Sequence, residues 1–201
     1  MELRSDAALS RALSLIAPGS PFREGLDRVL QSGRGGLIVI GDGPEVLNIC
    51  SGGFLLDAAF SPQRLSELAK MDGAIIMASD VGRIARANVH LVPNPNVPTS
   101  ETGTRHRTAE RVARMLDAPV VAVSESRKQI QVYVGDQIRQ ILPTSRLLER
   151  SNQALQTLER YRARLYQVSR KLTALEAQDL VAVRNVVEVL QRIEMVTRIA
   201  T

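Results

Sequence analysis

The sequence predicts an α/β fold: a mixed central β-sheet surrounded by helices, followed by an α-helical linker segment. Three observations carry that prediction. Short apolar runs bounded by glycine or proline, such as Gly36-Leu37-Ile38-Val39-Ile40-Gly41 and Ala74-Ile75-Ile76-Met77-Ala78, have the length and β-branched content of buried strands. Between them lie segments whose apolar residues recur at threes and fours, the spacing of one helix face. From Leu147 onward that helical spacing takes over and repeats beyond Gln178-Asp179, and neither Gly nor Pro follows Pro143. The division falls at residues 1–141 for the α/β domain and 142–201 for the helical segment.

Leu3 to Ile16 carries Leu9, Leu13 and Ile16 at helical spacing and is stopped by Ala17-Pro18-Gly19-Ser20-Pro21. Pro21 suits the first position of a second helix, where a missing N–H costs nothing, with Phe22, Leu26, Val29 and Leu30 on one face. After the strand at 36–40, Gly41-Asp42-Gly43 has no third glycine at dinucleotide-binding spacing, and Pro44 follows. It reads as a hairpin turn, with Val46-Leu47-Asn48-Ile49-Cys50 as the returning strand. Gly52-Gly53-Phe54 reads as a loop or helix entry. Ser61 and Pro62 are an N-cap and first-turn pair for a helix through Leu65 and Leu68. The strand at 74–78, a turn at Asp80-Val81-Gly82 and a strand over Ile84–Leu91 follow; His90, on that strand, is assigned to structure. Three prolines in 93–98 exclude helix and make an extended loop. A helix over Arg105–Leu116, a strand at Pro119–Val123 and a hairpin, Gln129–Val134 with Gln137–Ile141 around Gly135-Asp136, complete the sheet, which is mainly hairpin-built. The tail reads as two helices, a hairpin or one long broken helix.

Composition narrows the function. The 44% hydrophobic content supports a real core. No apolar run is long enough to span a membrane, and the N-terminus lacks the apolar core of a secretory signal. The single Cys50 rules out an intrachain disulfide and reads as a buried thiol, which fits a cytoplasmic setting. The net charge of +5 lies mostly in residues 142–201, as a solvated helix face. The absence of Trp, with three Phe and three Tyr, leaves little for stacking bases of single strands.

Two stretches carry chemistry. Thr104-Arg105-His106-Arg107-Thr108 follows Gly103 at a helix start, where unpaired amide N–H groups and the helix dipole favour an anion and two guanidinium groups add to that. Asp72, at a helix-to-strand turn before Gly73, offers a carboxylate to a divalent metal or to an attacking hydroxyl. Each alone is an ordinary surface feature. Together they supply the parts of phosphoryl or nucleotidyl transfer, in which catalysis is mostly positioning and charge stabilisation. No Ser-His-Asp set and no Walker loop is present.

Asp72-Gly73-Ala74, followed about thirty residues later by Gly103-Thr104-Arg105-His106-Arg107-Thr108, resembles the paired motif of diadenylate cyclases. Gly36-Leu37-Ile38-Val39-Ile40-Gly41, Ser51-Gly52-Gly53 and Ser124-Glu125 fit as well. The helix at residues 4–16 and the Leu/Val-rich tail make the chain similar to the DNA integrity scanning branch of that family, which continues into a helix-hairpin-helix DNA-binding domain; this chain is expected to be truncated before it. The resemblance implies condensation of two ATP into cyclic di-AMP and two pyrophosphates, with Mg²⁺ or Mn²⁺, at a site shared by two facing domains of a head-to-head homo-octamer. It implies that Asp72 holds the metal and the attacking hydroxyl, and that Gly73, Ala74 and Leu91 line the adenosine pocket. It places Gly103, Thr104, Arg105, His106, Arg107 and Thr108 at the ATP phosphates, with Ser124 and Glu125 near the triphosphate. Asp72, Arg105, His106 and Arg107 are the expected catalytic set. Duplex DNA is expected to bind this chain only weakly. Two other readings remain: a module that senses a nucleotide without turning it over, and an assembly module whose tail helices oligomerise the chain.

Overall fold

Gly36-Leu37-Ile38-Val39-Ile40 is buried along its whole length because it runs through the middle of the sheet. The computed structural model of the chain describes residues 2–116 and 118–200, with side chains from Asp6 onward. The chain divides into two compact units, Met1–Pro143 and Thr144–Thr201.

In the first unit β1 (Gly36–Ile40) lies between β4 (Ala74–Met77), parallel to it, and β6 (Val120–Ser124), antiparallel. Beyond β6 come β7 (Gln129–Val134) and β8 (Gln137–Ile141); beyond β4 comes β5 (Arg83–Leu91). The far edge of β5 carries two further strands, β2 (Cys50–Ser51) and β3 (Phe54–Ala59).

Successive side chains of a strand point to opposite faces, and both faces of this sheet are covered. Ile38, Ile40, Ile75, Met77, Val121 and Val123 pack on one side, against α1 (Glu2–Leu15), α2 (Pro21–Gln31) and α4 (Pro62–Leu68) through Ala12, Leu26 and Leu65. Leu37, Val39, Ala74, Ile76, Val120 and Ala122 pack on the other, with Val46 of α3 (Pro44–Asn48) and with Ala109, Val112 and Ala113 of α5 (Thr104–Met115). A central strand buried on both faces reads as a continuous apolar run rather than an alternating one. Ser20 and Ser61 cap α2 and α4, each accepting a hydrogen bond from the N–H three residues on, Arg23 at 3.1 Å and Arg64 at 3.2 Å.

Three sequence expectations are corrected. Val46–Cys50 is not a strand: Gly43 and Pro44 start the short helix α3, and only Cys50–Ser51 pairs with β5. Pro44 at the first helical position pre-sets the helical φ. Gly41-Asp42-Gly43 is therefore not a hairpin turn, and β1 takes its partners from distant segments, so the sheet is less hairpin-built than expected. Gly52-Gly53 is a loop, but Phe54 begins an edge strand, Phe54–Ala59, rather than belonging to a loop or helix entry; with Phe54 and Leu55 exposed, its alternation carries no inward pattern to read. A register shift and Asp57 at φ +48° bend it, and Arg83 pairs with both Asp42 and Asp57 across it. Bulges and charge are the usual protection of an exposed edge.

The second unit is a helical hairpin, α6 (Thr144–Glu176) against α7 (Val183–Ala200), which decides between the two readings of the tail. Asp179, at φ +57°, makes the turn, and the Leu180 N–H donates back to the Leu175 carbonyl at 2.9 Å. Leu148, Leu155, Leu190 and Ile193 are exposed along it.

Candidate functional site

The antiparallel register places the start of β1 beside the end of β6, and the start of β4 beside the end of β5. The Asp72 turn, the end of β5, the first turn of α5 and the end of β6 thus meet at one end of the sheet.

At the turn, Gly73 has to be glycine for a backbone reason. A Cβ there would lie 2.5 Å from Asn88 Cα and 2.6 Å from the Val89 nitrogen. Asn88 sits at φ +54°, a conformation asparagine tolerates better than most residues. Its Oδ1 accepts from the Gly73 N–H at 3.1 Å. The register between β4 and β5 shifts around this point, so the two strands are pinned where the ladder is irregular. Asp72, one residue earlier, is left exposed.

Asp72, Gly73, Ala74 and Leu91 line a cleft of about 400 Å³ together with Thr104, Arg105 and Thr108. Leu91 serves both this wall and the core. The cleft wall also includes His90, which is exposed, and Leu37 and Asn88, for which no site role was read from the sequence. A second cleft of about 480 Å³ opens on the other side of the α5 start, walled by Gly103, Thr104, Arg105, His106, Ser124 and Glu125. The two clefts share Thr104 and Arg105. Arg107 is exposed and lines neither.

Unlike α2 and α4, α5 begins at a glycine, with no side-chain cap on its first amides. Those N–H groups and the dipole face the place where the clefts join, an arrangement suited to phosphate. The Arg105 guanidinium lies against Gly35, where any Cβ would overlap it.

Glu110 anchors the proline loop. Only 1% exposed, it accepts from the Thr99 hydroxyl at 2.5 Å, the Ser100 N–H at 2.9 Å and the Ser100 hydroxyl at 3.1 Å, and it pairs with Arg114 at 3.0 Å. Arg111 and Arg114 donate to the Val97 and Pro98 carbonyls at 3.0 and 2.6 Å. Burial opposes the charge of Glu110, but the hydrogen bonds from Thr99, Ser100 and Glu101 outweigh it and hold the carboxyl below its ordinary range. His106 is also buried, 6% exposed, with Nδ1 2.8 Å from the Tyr133 hydroxyl. Burial lowers its basicity and Arg127 and Arg105 add to that, against the pull of Glu101. The roles of Glu110 and Tyr133 were missed in the sequence. Glu110 could have been found: with His106 and Ala113 it lies on the stripe of α5 that faces the core.

Among the described residues no group of three or more His, Cys, Asp and Glu could hold a metal ion. One carboxylate, Asp72, lines the cleft that Thr104, Arg105 and Thr108 also line. Mg²⁺ is commonly held by one or two carboxylates plus substrate phosphates, so the donor set fits a metal that arrives with a nucleotide.

Comparison with known proteins shows the family. Residues 23–138 match the DisA bacterial checkpoint controller nucleotide-binding domain, and residues 142–201 match the linker region of the same controller. The chain belongs to the DisA family. It is 51% identical over 197 residues to the DNA integrity scanning protein DisA of Streptomyces coelicolor, covering 98% of this chain and 53% of that protein. It is 53% identical over 195 residues to DisA of Frankia alni, covering 97% and 54%. The chain thus spans about half the length of the curated relatives it matches. Two solved structures share the fold: a hypothetical membrane spanning protein from Bacillus cereus (TM-score 0.57, 20% identity, 71% of this chain and 74% of that one) and a double mutant of DacA from Staphylococcus aureus (TM-score 0.50, 24% identity, 63% and 89%). No helix among the described residues is long and apolar enough to cross a membrane.

The Glu110 anchor makes a stability prediction with a definite sign. A carboxyl held below its unfolded value, about 4.3 for glutamate, stabilises the fold above that pH. The contribution is lost as pH falls through the lower, folded value. Glu110→Gln should therefore cost about 1–3 kcal/mol at neutral pH, and the gap to wild type should narrow on acidification. Denaturant titrations at neutral and acidic pH check this; a gap independent of pH would contradict it.

Proposed function

We propose that the chain is a diadenylate cyclase, which condenses two ATP into cyclic di-AMP and two pyrophosphates. The observation that carries this reading is the convergence of Asp72 and the uncapped Arg105 helix start on one cleft, in a chain of the DisA nucleotide-binding family. Gly73, Ala74 and Leu91 would receive the adenosine. Thr104, Arg105 and Thr108 would hold the phosphates, with Ser124 and Glu125 beyond them, and His106 would meet the same group from the second cleft. Asp72 would hold the attacking 3′-hydroxyl and a Mg²⁺ or Mn²⁺ ion, which when bound neutralises charge building on the phosphates.

One domain carries one such set, so a symmetric product from two ATP needs two copies. An isologous two-fold contact is the simplest way to supply them, because the same surface then meets itself. Each ribose hydroxyl attacks the α-phosphate held by the opposite domain. Arg107, exposed outside both clefts of its own domain, is suited to meet the opposite triphosphate. Head-to-head pairing of domains within an octamer satisfies this requirement. The helical hairpin, with its exposed apolar residues, would supply further association. Its modest positive charge supports only weak, non-specific binding of duplex DNA. The substrate places the reaction in the cytoplasm.

Asp72→Asn should leave the fold intact and lower cyclisation by at least ~10²-fold, the scale of a lost acid/base or metal group. Added in excess to wild type once subunits exchange, it should also depress wild-type activity, because mixed sites have one intact carboxylate. Near-normal turnover of the variant, or no effect on mixing, would count against the shared site. Truncating Arg105 and Arg107 together to Ala should weaken ATP binding by a few kcal/mol, since each charge-assisted contact contributes roughly 1.5–3 kcal/mol. Calorimetry that found the affinity unchanged would return both to ordinary surface charge.

A further inference from the structure

Beneath the first turn of α5 lies a buried polar chain that the proposed reaction does not by itself require. The Tyr133 side chain on β7 is fully buried. Its hydroxyl has three polar neighbours: His106 Nδ1 at 2.8 Å, Glu101 Oε1 at 2.9 Å and Gln131 Oε1 at 3.2 Å. Arg127 approaches Glu101 from outside at 3.5 Å. His106 Nε2 is buried and has no hydrogen-bond partner. The ring's Cδ2 edge lies 3.7 Å from the Cβ position of Gly103, and the residue walls the cleft that contains Ser124 and Glu125.

The direction of these bonds follows from counting protons. A tyrosine hydroxyl has one hydrogen to give, and an ionised carboxylate can only accept. The hydroxyl proton therefore goes to Glu101, leaving the tyrosine oxygen as an acceptor, and the Gln131 amide, flipped about its end, turns its NH₂ rather than its oxygen toward it. His106 must then be the donor, through Nδ1–H. A neutral imidazole carries a single N–H, so Nε2 is left bare. Burial, with the nearby Arg127 and Arg105, disfavours the charged form of the ring against the pull of Glu101.

We propose that Tyr133 and Glu101 are positioning residues for His106: they hold it as the Nδ1–H tautomer and present Nε2 as the atom that meets a ligand in the cleft. Nδ1 is thus the anchor and Nε2 the working atom. A bare Nε2 accepts from a hydroxyl, or takes up a proton as a phosphate oxygen arrives. Without the tyrosine hydroxyl the proton has no reason to stay on Nδ1, and the ring loses the bond that sets its orientation. The assignment of Nε2 to a nucleotide rests on the cyclase reading; the tautomer does not.

The chain contains two histidines, His90 and His106, so a nitrogen-15 spectrum of the histidine-labelled full chain holds only two imidazoles to assign. Solid-state spectra recorded near neutral pH without nucleotide should show His106 with Nδ1 protonated and Nε2 bare. Tyr133→Phe keeps the ring in its cavity and should move proton population to Nε2. It should also raise the KM for ATP roughly tenfold with a smaller change in kcat, the scale of a lost positioning hydrogen bond. Glu101→Gln still offers an acceptor oxygen and should keep the wild-type tautomer. A wild-type His106 protonated on Nε2 overturns the proposal, and this test remains if Tyr133→Phe fails to fold. A Tyr133→Phe spectrum identical to wild type also overturns it, as does a shifted tautomer with unchanged KM. Absence of any dinucleotide product from wild type would sink the cyclase reading alone, because the spectra are recorded without substrate.

Discussion

The α5 side of the candidate site depends on one buried carboxylate. Glu110 points from α5 into the base of the proline loop and takes up the polar groups of Thr99 and Ser100 there. A loop with three prolines in six residues has few backbone donors of its own to make a ladder. Its shape must come from side chains, and α5 supplies them in Glu110, Arg111 and Arg114. Because the loop ends at Gly103, the same contacts set where the helix begins. The position of Thr104 and Arg105 at the cleft junction, and of Glu101 beside Tyr133, follows from that anchor. A buried charge this well hydrogen-bonded is costly to break even where it adds little net stability, because its loss leaves the donors unpaired.

The opposite wall relies on backbone instead. Gly73 lets β4 approach β5 at Asn88, and the bulge there turns Asp72 outward. One wall is thus set by a missing side chain and the other by a buried one. Both are anchored to a sheet covered on its two faces, which is why the exposed Asp72 and the half-buried Arg105 are held in register with each other.

Much of this was legible in the sequence where local chemistry decides the outcome. Ser61-Pro62, the Gly135-Asp136 hairpin turn and the apolar run at 36–40 each have one good local solution, and each appears as read. Legibility failed where the local signal was ambiguous or long-range. Val46 to Cys50 has a strand-like composition, but Pro44 and a buried Val46 favour a turn of helix. Phe54 to Ala59 is strand only because β5 offers it an edge. At the site, the Asp72 and Arg105 stretches could be paired by residue type, whereas the chain from Glu101 through Tyr133 to His106 spans 32 residues and has no local signature. The two DisA family matches, over residues 23–138 and 142–201, follow the same division into an α/β domain and a helical segment.

The proposed chemistry requires one folded chain, meeting a second copy of itself, to join two ATP molecules into a ring. The most direct test is mass analysis of the products after the associated chain is incubated with ATP and Mn²⁺ or Mg²⁺. The account predicts cyclic di-AMP, with two pyrophosphates released for each ring formed. ATP recovered intact, or converted only to ADP or to linear dinucleotides, would contradict it.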